Sequence, residues 1–115
     1  MSIICHMTFV EPPGKVTELR VTDTSYNTVS LMWTKPNEEP GVQDEAKGYF
    51  LEVRPAESLE WNRSTTTPII LTSNTVKGLK AMAMYWVRVI ATNEGGDGVP
   101  TDLDNYILAM PPPGR

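Results

Sequence analysis

Cys5 and His6 are the only thiol and the only imidazole in the 115 residues, and they adjoin each other near a chain end. Nucleophilic catalysis or metal binding by soft ligands would have to be built from this pair. A terminal stretch supplies neither the remaining ligands nor a supporting shell. A single cysteine also excludes an intrachain disulfide and every multi-thiolate zinc site. The acidic residues offer a second chemistry. Glu38, Glu39, Asp44 and Glu45 crowd one stretch, but their spacing matches no calcium-binding loop. Glu94 and Asp97 lie close together in a glycine-rich segment, where nothing withdraws either carboxyl from water to raise its pKa into a catalytic range. They stand as candidate loop contacts. Asn62-Arg63-Ser64 is a glycosylation acceptor tripeptide, which matters only on a secreted chain. The expectation is a protein that is not an enzyme and uses no metal or cofactor.

Composition narrows the partners. The net charge is -4, and lysines and arginines are scattered singly. Without a basic stripe to release counterions from phosphates, a nucleic-acid role is not expected. No apolar run approaches the ~20 residues that cross a bilayer, and residues 1–10 lack the basic start and long apolar stretch of a signal peptide. Membrane insertion is therefore not expected. Residues 1–10 read as a leader or added tail, 11–110 as one domain, and 111–115 as a proline-rich linker.

Within that domain, short β-prone runs are punctuated by proline, glycine and Asx clusters. Val16, Leu19 and Val21 mark a first strand. In the second, Thr28 to Thr34, Val29, Leu31 and Trp33 alternate with polar or exposed positions, the period-two pattern of a sheet with one buried face. A long turn-rich loop over 36–47 follows. Gly48 to Arg54 then places Tyr49, Leu51 and Val53 on one face and Phe50, Glu52 and Arg54 on the other. A weaker strand carries Trp61, and another lies within Ile69 to Lys77 with Val76 inward. Tyr85 to Asn93 is the clearest strand, with Tyr85, Val87, Val89 and Ala91 opposed to Trp86, Arg88 and Ile90. Asn93 to Gly98 forms a hairpin connection, and the last strand lies within Leu103 to Met110. About seven strands imply an all-β, antiparallel, immunoglobulin-like sandwich, three strands facing four.

Several of these positions resemble the fibronectin type III family. Pro12 or Pro13 matches its early proline, Trp33 its second-strand tryptophan, Gly48-Tyr49 the start of its third strand, and Leu79 with Tyr85 its tyrosine corner. Ala81-Met82 replaces the usual Pro-Gly between them. Gly48-Tyr49-Phe50-Leu51-Glu52-Val53-Arg54 with Trp61 downstream, Asn93-Glu94-Gly95-Gly96, and Ile107-Leu108-Ala109-Met110-Pro111 are similar to passages in the domains of intracellular muscle proteins such as titin and myosin-binding protein C. The Arg-Gly-Asp tripeptide of integrin-binding members and the Trp-Ser-x-Trp-Ser box of cytokine receptors are absent. The resemblance implies a structural and protein-interaction module, one of a tandem series in the sarcomere, with Trp33, Tyr49, Leu51, Leu79, Tyr85, Val87 and Val89 in its core. An extracellular adhesion or receptor domain is the alternative.

Strand alternation singles out one surface. With Tyr49, Leu51, Val53, Tyr85, Val87 and Val89 inward, Phe50, Trp86 and Ile90 point outward from the sheet that holds the third and sixth strands. Arg54, Arg88 and Trp61 share that face, where guanidinium groups can lie on the rings. These six residues form a candidate partner face for a neighbouring domain, another filament protein or weak self-association. The competing reading is a solvated face whose arginine stems cover the rings.

Overall fold

The computed structural model describes residues 10–36 and 45–113. Cys5, His6, Glu38, Glu39 and Asp44 lie outside the described residues. The strand segments are β1 (Thr17–Thr24), β2 (Val29–Thr34), β3 (Gly48–Pro55), β4 (Asn62–Arg63), β5 (Ser73–Val76), β6 (Met84–Asn93), β7 (Gly96–Asp97), β8 (Thr101–Asp102) and β9 (Ile107–Leu108). They form two antiparallel sheets, and no helix occurs among the described residues. One sheet has the order β1-β2-β5. In the other, β4-β3-β6 continues into β7, while β8 and β9 pair with successive stretches of the same β6 edge. The last three segments are thus one interrupted strand, and the sandwich has three strands facing four.

The last strand, expected within Leu103 to Met110, begins earlier, at Gly96, and is interrupted. Gly98 and Pro100 break the run after β7, since proline donates nothing to a ladder. Backbone bonds from Gly98 to Ala91 and from Leu103 to Val87 carry the edge across the gaps. Elsewhere the ladders are shorter than expected. Trp61 lies just before β4, and of Ile69 to Lys77 only Ser73–Val76 is a strand. Ile69 instead exchanges two backbone bonds with Tyr49 of 2.7 and 2.8 Å. Val21, expected in the first strand, lies within β1 but is exposed. It sits on an edge strand with register shifts on both sides of it, and such bulges twist an edge away from regular alternation.

The period-two pattern of β2, β3 and β6 fills the space between the sheets. Trp33, Leu31, Leu51, Val87 and Val89 are among the largest fully buried side chains, and Tyr49, Leu79 and Tyr85 join the same cluster. Trp33 packs edge-on against Tyr49 with ring centroids 5.5 Å apart, a geometry that suits the ring quadrupoles. At the corner before β6, the Lys80 backbone N–H donates to the Tyr85 hydroxyl at 2.7 Å. The phenol thereby packs its ring and satisfies a turn donor at once. Met82, standing where a glycine is usual, takes φ 63°. A side chain in this left-handed region costs roughly 1 to 2 kcal/mol, which the surrounding corner must offset.

A braced outer face and a clamped entry segment

Behind the core, β3 and β6 run side by side over their full length, pairing Phe50 with Ile90, Glu52 with Arg88 and Arg54 with Trp86. Directly opposed residues share a face, so all six point away from the core. Phe50 and Ile90 stay outside the core cluster yet are only 9% and 4% exposed. They lend almost no open surface, contrary to the expectation of a contiguous apolar patch. Arg63 supplies the cover for Phe50: its guanidinium carbon lies 3.8 Å from the ring centroid. Arg88 stacks on Trp61 at 4.2 Å, and Arg54 approaches the same indole at 5.3 Å.

Glu52 ties these cations together. It is 7% exposed. One carboxylate oxygen accepts Arg88 Nε at 2.8 Å and Nη2 at 2.7 Å, and the other accepts Arg63 Nε and Nη2, both at 3.0 Å. Arg63 then reaches across to Asp97 at 3.0 Å, and Asp97 accepts the Thr92 hydroxyl at 2.8 Å. The result is a brace across four strands, from β4 over β3 and β6 to β7. The sequence reading puts Glu52 on this face without a role, and Arg63 and Thr92 escape it. Charged residues in an alternating strand read as solvated, and Arg63 is distant in sequence from the ring it covers.

Asp97, one of the two candidate loop contacts, is committed to this brace, whereas Glu94 is exposed at the hairpin. Partial burial acts to raise the Asp97 pKa. The Thr92 hydroxyl and the Arg63 guanidinium outweigh it and hold the carboxyl below the usual carboxylate range. Arg63 is held above its ordinary value: partial burial opposes this, but the bonds to Asp97 and Glu52 prevail. A depressed carboxyl contributes stability that is complete above its unfolded pKa of about 4 and is lost as pH falls through the lower folded value. Asp97→Asn is therefore expected to lower stability slightly at neutral pH, with the gap from wild type closing below about pH 4. Urea unfolding at a series of pH values measures this, and a constant gap refutes it.

What remains open on the face is its lower end. Trp86 is half-buried and meets Tyr106 edge-on at 5.9 Å. Met84, paired with Leu108, is exposed beside it, as are Tyr106 and Leu108. Of the six candidate residues, then, Trp61, Trp86, Arg54 and Arg88 retain surface while Phe50 and Ile90 do not. Among the described residues no group of three or more His, Cys, Asp or Glu side chains is placed to hold a metal ion.

At the opposite end, the hairpin grips the entry segment. The Asn93 side-chain amide donates to the Glu11 carbonyl at 2.8 Å and to the Glu45 carbonyl at 3.3 Å, while its oxygen accepts the Gly95 N–H at 2.8 Å. A Cβ on Gly95 would run into the Val10 carbonyl, and one on Gly98 into the Pro13 carbonyl. Only glycine permits so close a backbone approach. Gly96 supplies the turn itself at φ 123°.

With the geometry in place, comparison with known proteins becomes informative. The family model for the fibronectin type III domain matches residues 12–103. The chain is 34% identical to titin of Drosophila melanogaster over 99 residues, covering 86% of this chain and a share of titin that rounds to 0%. It is 29% identical to myosin-binding protein H of Mus musculus over 97 residues, covering 83% of this chain and 19% of that protein. A crystal structure of domains A168-A170 from titin superimposes with a TM-score of 0.73 at 27% identity, covering 88% of this chain and 32% of that one. The chain thus spans under a fifth of the curated relatives it matches.

Proposed function

The chain belongs to the fibronectin type III family, and from that premise we propose that it is a non-catalytic spacer and protein-interaction module, one domain of a tandem muscle filament-associated protein located in the sarcomere. The observation that carries this is the clamp on the entry segment. A chain that enters along residues 10–13 is held by Asn93 and by glycines that tolerate no side chain. A preceding domain would therefore be set at a defined angle to the sandwich. Pro12 and Pro13 stiffen the approach, and Pro111 to Pro113 do the same at the exit. Defined angles repeated along a series give a fixed length and a fixed presentation of side faces, which is what a filament spacer needs.

Its partners under this reading are proteins, including neighbouring domains of its own chain. The exposed end of the outer face, where Trp86 of the predicted partner face adjoins Tyr106, Met84 and Leu108, offers them open apolar surface. The shape of the relatives supports the tandem setting, since each matches over a small part of a much longer protein. An antibody raised against the folded chain is expected to label striated muscle in transverse stripes at constant spacing from the filament ends. Labelling at the cell surface, with glycan on Asn62, would overturn the sarcomeric reading in favour of an adhesion domain.

A further inference from the structure

The two sheets leave one seam open, between the terminal strands β4 and β5. Among the described residues neither carries a further strand on its outer edge. The seam encloses about 360 Å3, and its floor is core: Val53, Val76, Leu79 and Tyr85. A cleft this size with an apolar floor and a few convergent polar groups is the usual form of a binding site.

Some polar groups on its lips are committed elsewhere, Thr65 to the Thr67 carbonyl, Thr75 to Ser30 and Arg63 to Glu52 and Asp97, and others are not. Asn74 pairs with buried Leu31, so it occupies a core-facing position on β5. An amide there, rather than an aliphatic side chain, is unexpected for a sandwich interior. Among the described residues neither the Asn74 amide nor that of Asn62, on the opposite lip, makes a hydrogen bond, and Ser64 and Lys77 likewise have no side-chain partner. Asn74 is half-buried and Asn62 is exposed, and each amide offers both a donor and an acceptor. That is the complement of a peptide backbone.

Charge selects among peptides. Among the described residues no carboxylate lines the seam, although the chain as a whole carries net charge -4. Arg63 on the lip is spent on Glu52 and Asp97, which leaves Lys77 as the free cation of the lining. We propose that this seam binds an extended acidic segment of a partner protein: an apolar side chain enters the floor, the backbone lies between Asn62 and Asn74, and a neighbouring carboxylate meets Lys77. The added strand would use the free sheet edge, as peptides do on other exposed edges. The proposal rests on the interaction-module reading for the kind of ligand, but its test does not depend on where in tissue the protein resides.

The test is a titration of the 15N-labelled chain with an acetylated and amidated hexapeptide alternating Glu with Val and Leu, beside the same peptide with Lys for Glu. Saturable shift changes confined to residues 62–65 and 73–77 are expected for the acidic peptide. Lys77→Glu, an exposed substitution that leaves the core untouched, should weaken its binding about tenfold or more and favour the lysine peptide. Asn74→Leu should abolish binding while the rest of the spectrum shows an intact fold. Absence of saturable shifts up to millimolar peptide, equal binding of both peptides, or unchanged affinity in Lys77→Glu would each overturn the proposal.

Discussion

Trp33→Ala is expected to lower the unfolding free energy by about 3 to 5 kcal/mol, the range for deleting a large buried aromatic side chain. Against a total of roughly 5 to 15 kcal/mol for a domain, the variant should be folded at low temperature but unfold far earlier on heating. The magnitude follows from position. Trp33 is 2% exposed, lies between the sheets and packs edge-on against Tyr49, so its deletion removes that contact and leaves a cavity between two sheets that their ladders hold apart. One feature limits the loss. The indole N–H is buried with no acceptor among the described residues, and an unmet buried donor costs about 1 to 3 kcal/mol. Trp33→Phe removes that donor while keeping most of the volume, so its cost should stay below about 2 kcal/mol. Chemical denaturation of the two variants decides the matter. A Trp33→Phe cost close to that of Trp33→Ala would mean that the N–H is satisfied in solution and that losing its bond outweighs the volume retained.

Trp33 was legible in the sequence because β2 alternates cleanly, and the same holds for β3 and β6. These are long strands with one face in the core, where a one-residue slip would move every apolar side chain out of it. The broken edge of β7, β8 and β9 was not legible. Its pairing depends on β6 as a template, and Gly98 and Pro100 erase the local period. The exposure of Val21 was not legible either, because a bulge is set by the partner strand and leaves no mark in the alternation. On the outer face, alternation correctly put Phe50 and Ile90 away from the core but could not show that they are covered. The cover on Phe50 comes from Arg63, on a two-residue strand that no propensity argument would locate. The role of Asn93 was equally hidden, since its acceptors belong to Glu11 and Glu45, distant in sequence. The seam escaped for a similar reason: it exists only because two sheet edges face each other.

The same long-range bracing makes Glu52 the residue whose loss should matter most outside the core. Glu52→Ala is expected to cost about 2 to 4 kcal/mol, less than the 3 to 5 kcal/mol for breaking a fully buried pair because the two arginines keep some contact with water. Their side chains are 36% exposed for Arg63 and 27% for Arg88, so each can rehydrate once released. The loss has a second part. Without the carboxylate Arg63 keeps only Asp97 to hold it over Phe50 and Arg88 loses the ion pair that sets it over Trp61, so both rings gain water contact. Glu52→Gln separates the two contributions: it preserves shape but turns an N–H donor toward a guanidinium, which costs charge-assisted bonds without opening space. Denaturant unfolding should show both variants destabilised, and the alanine variant alone should bind a hydrophobic dye and redden its tryptophan emission. Because the carboxylate is shielded, the difference from wild type should persist in 1 M salt, where exposed pairs are screened within about 3 Å. A penalty that vanishes in salt would mean that the brace is a surface ornament, and that Phe50 and Ile90 are kept dry by packing alone.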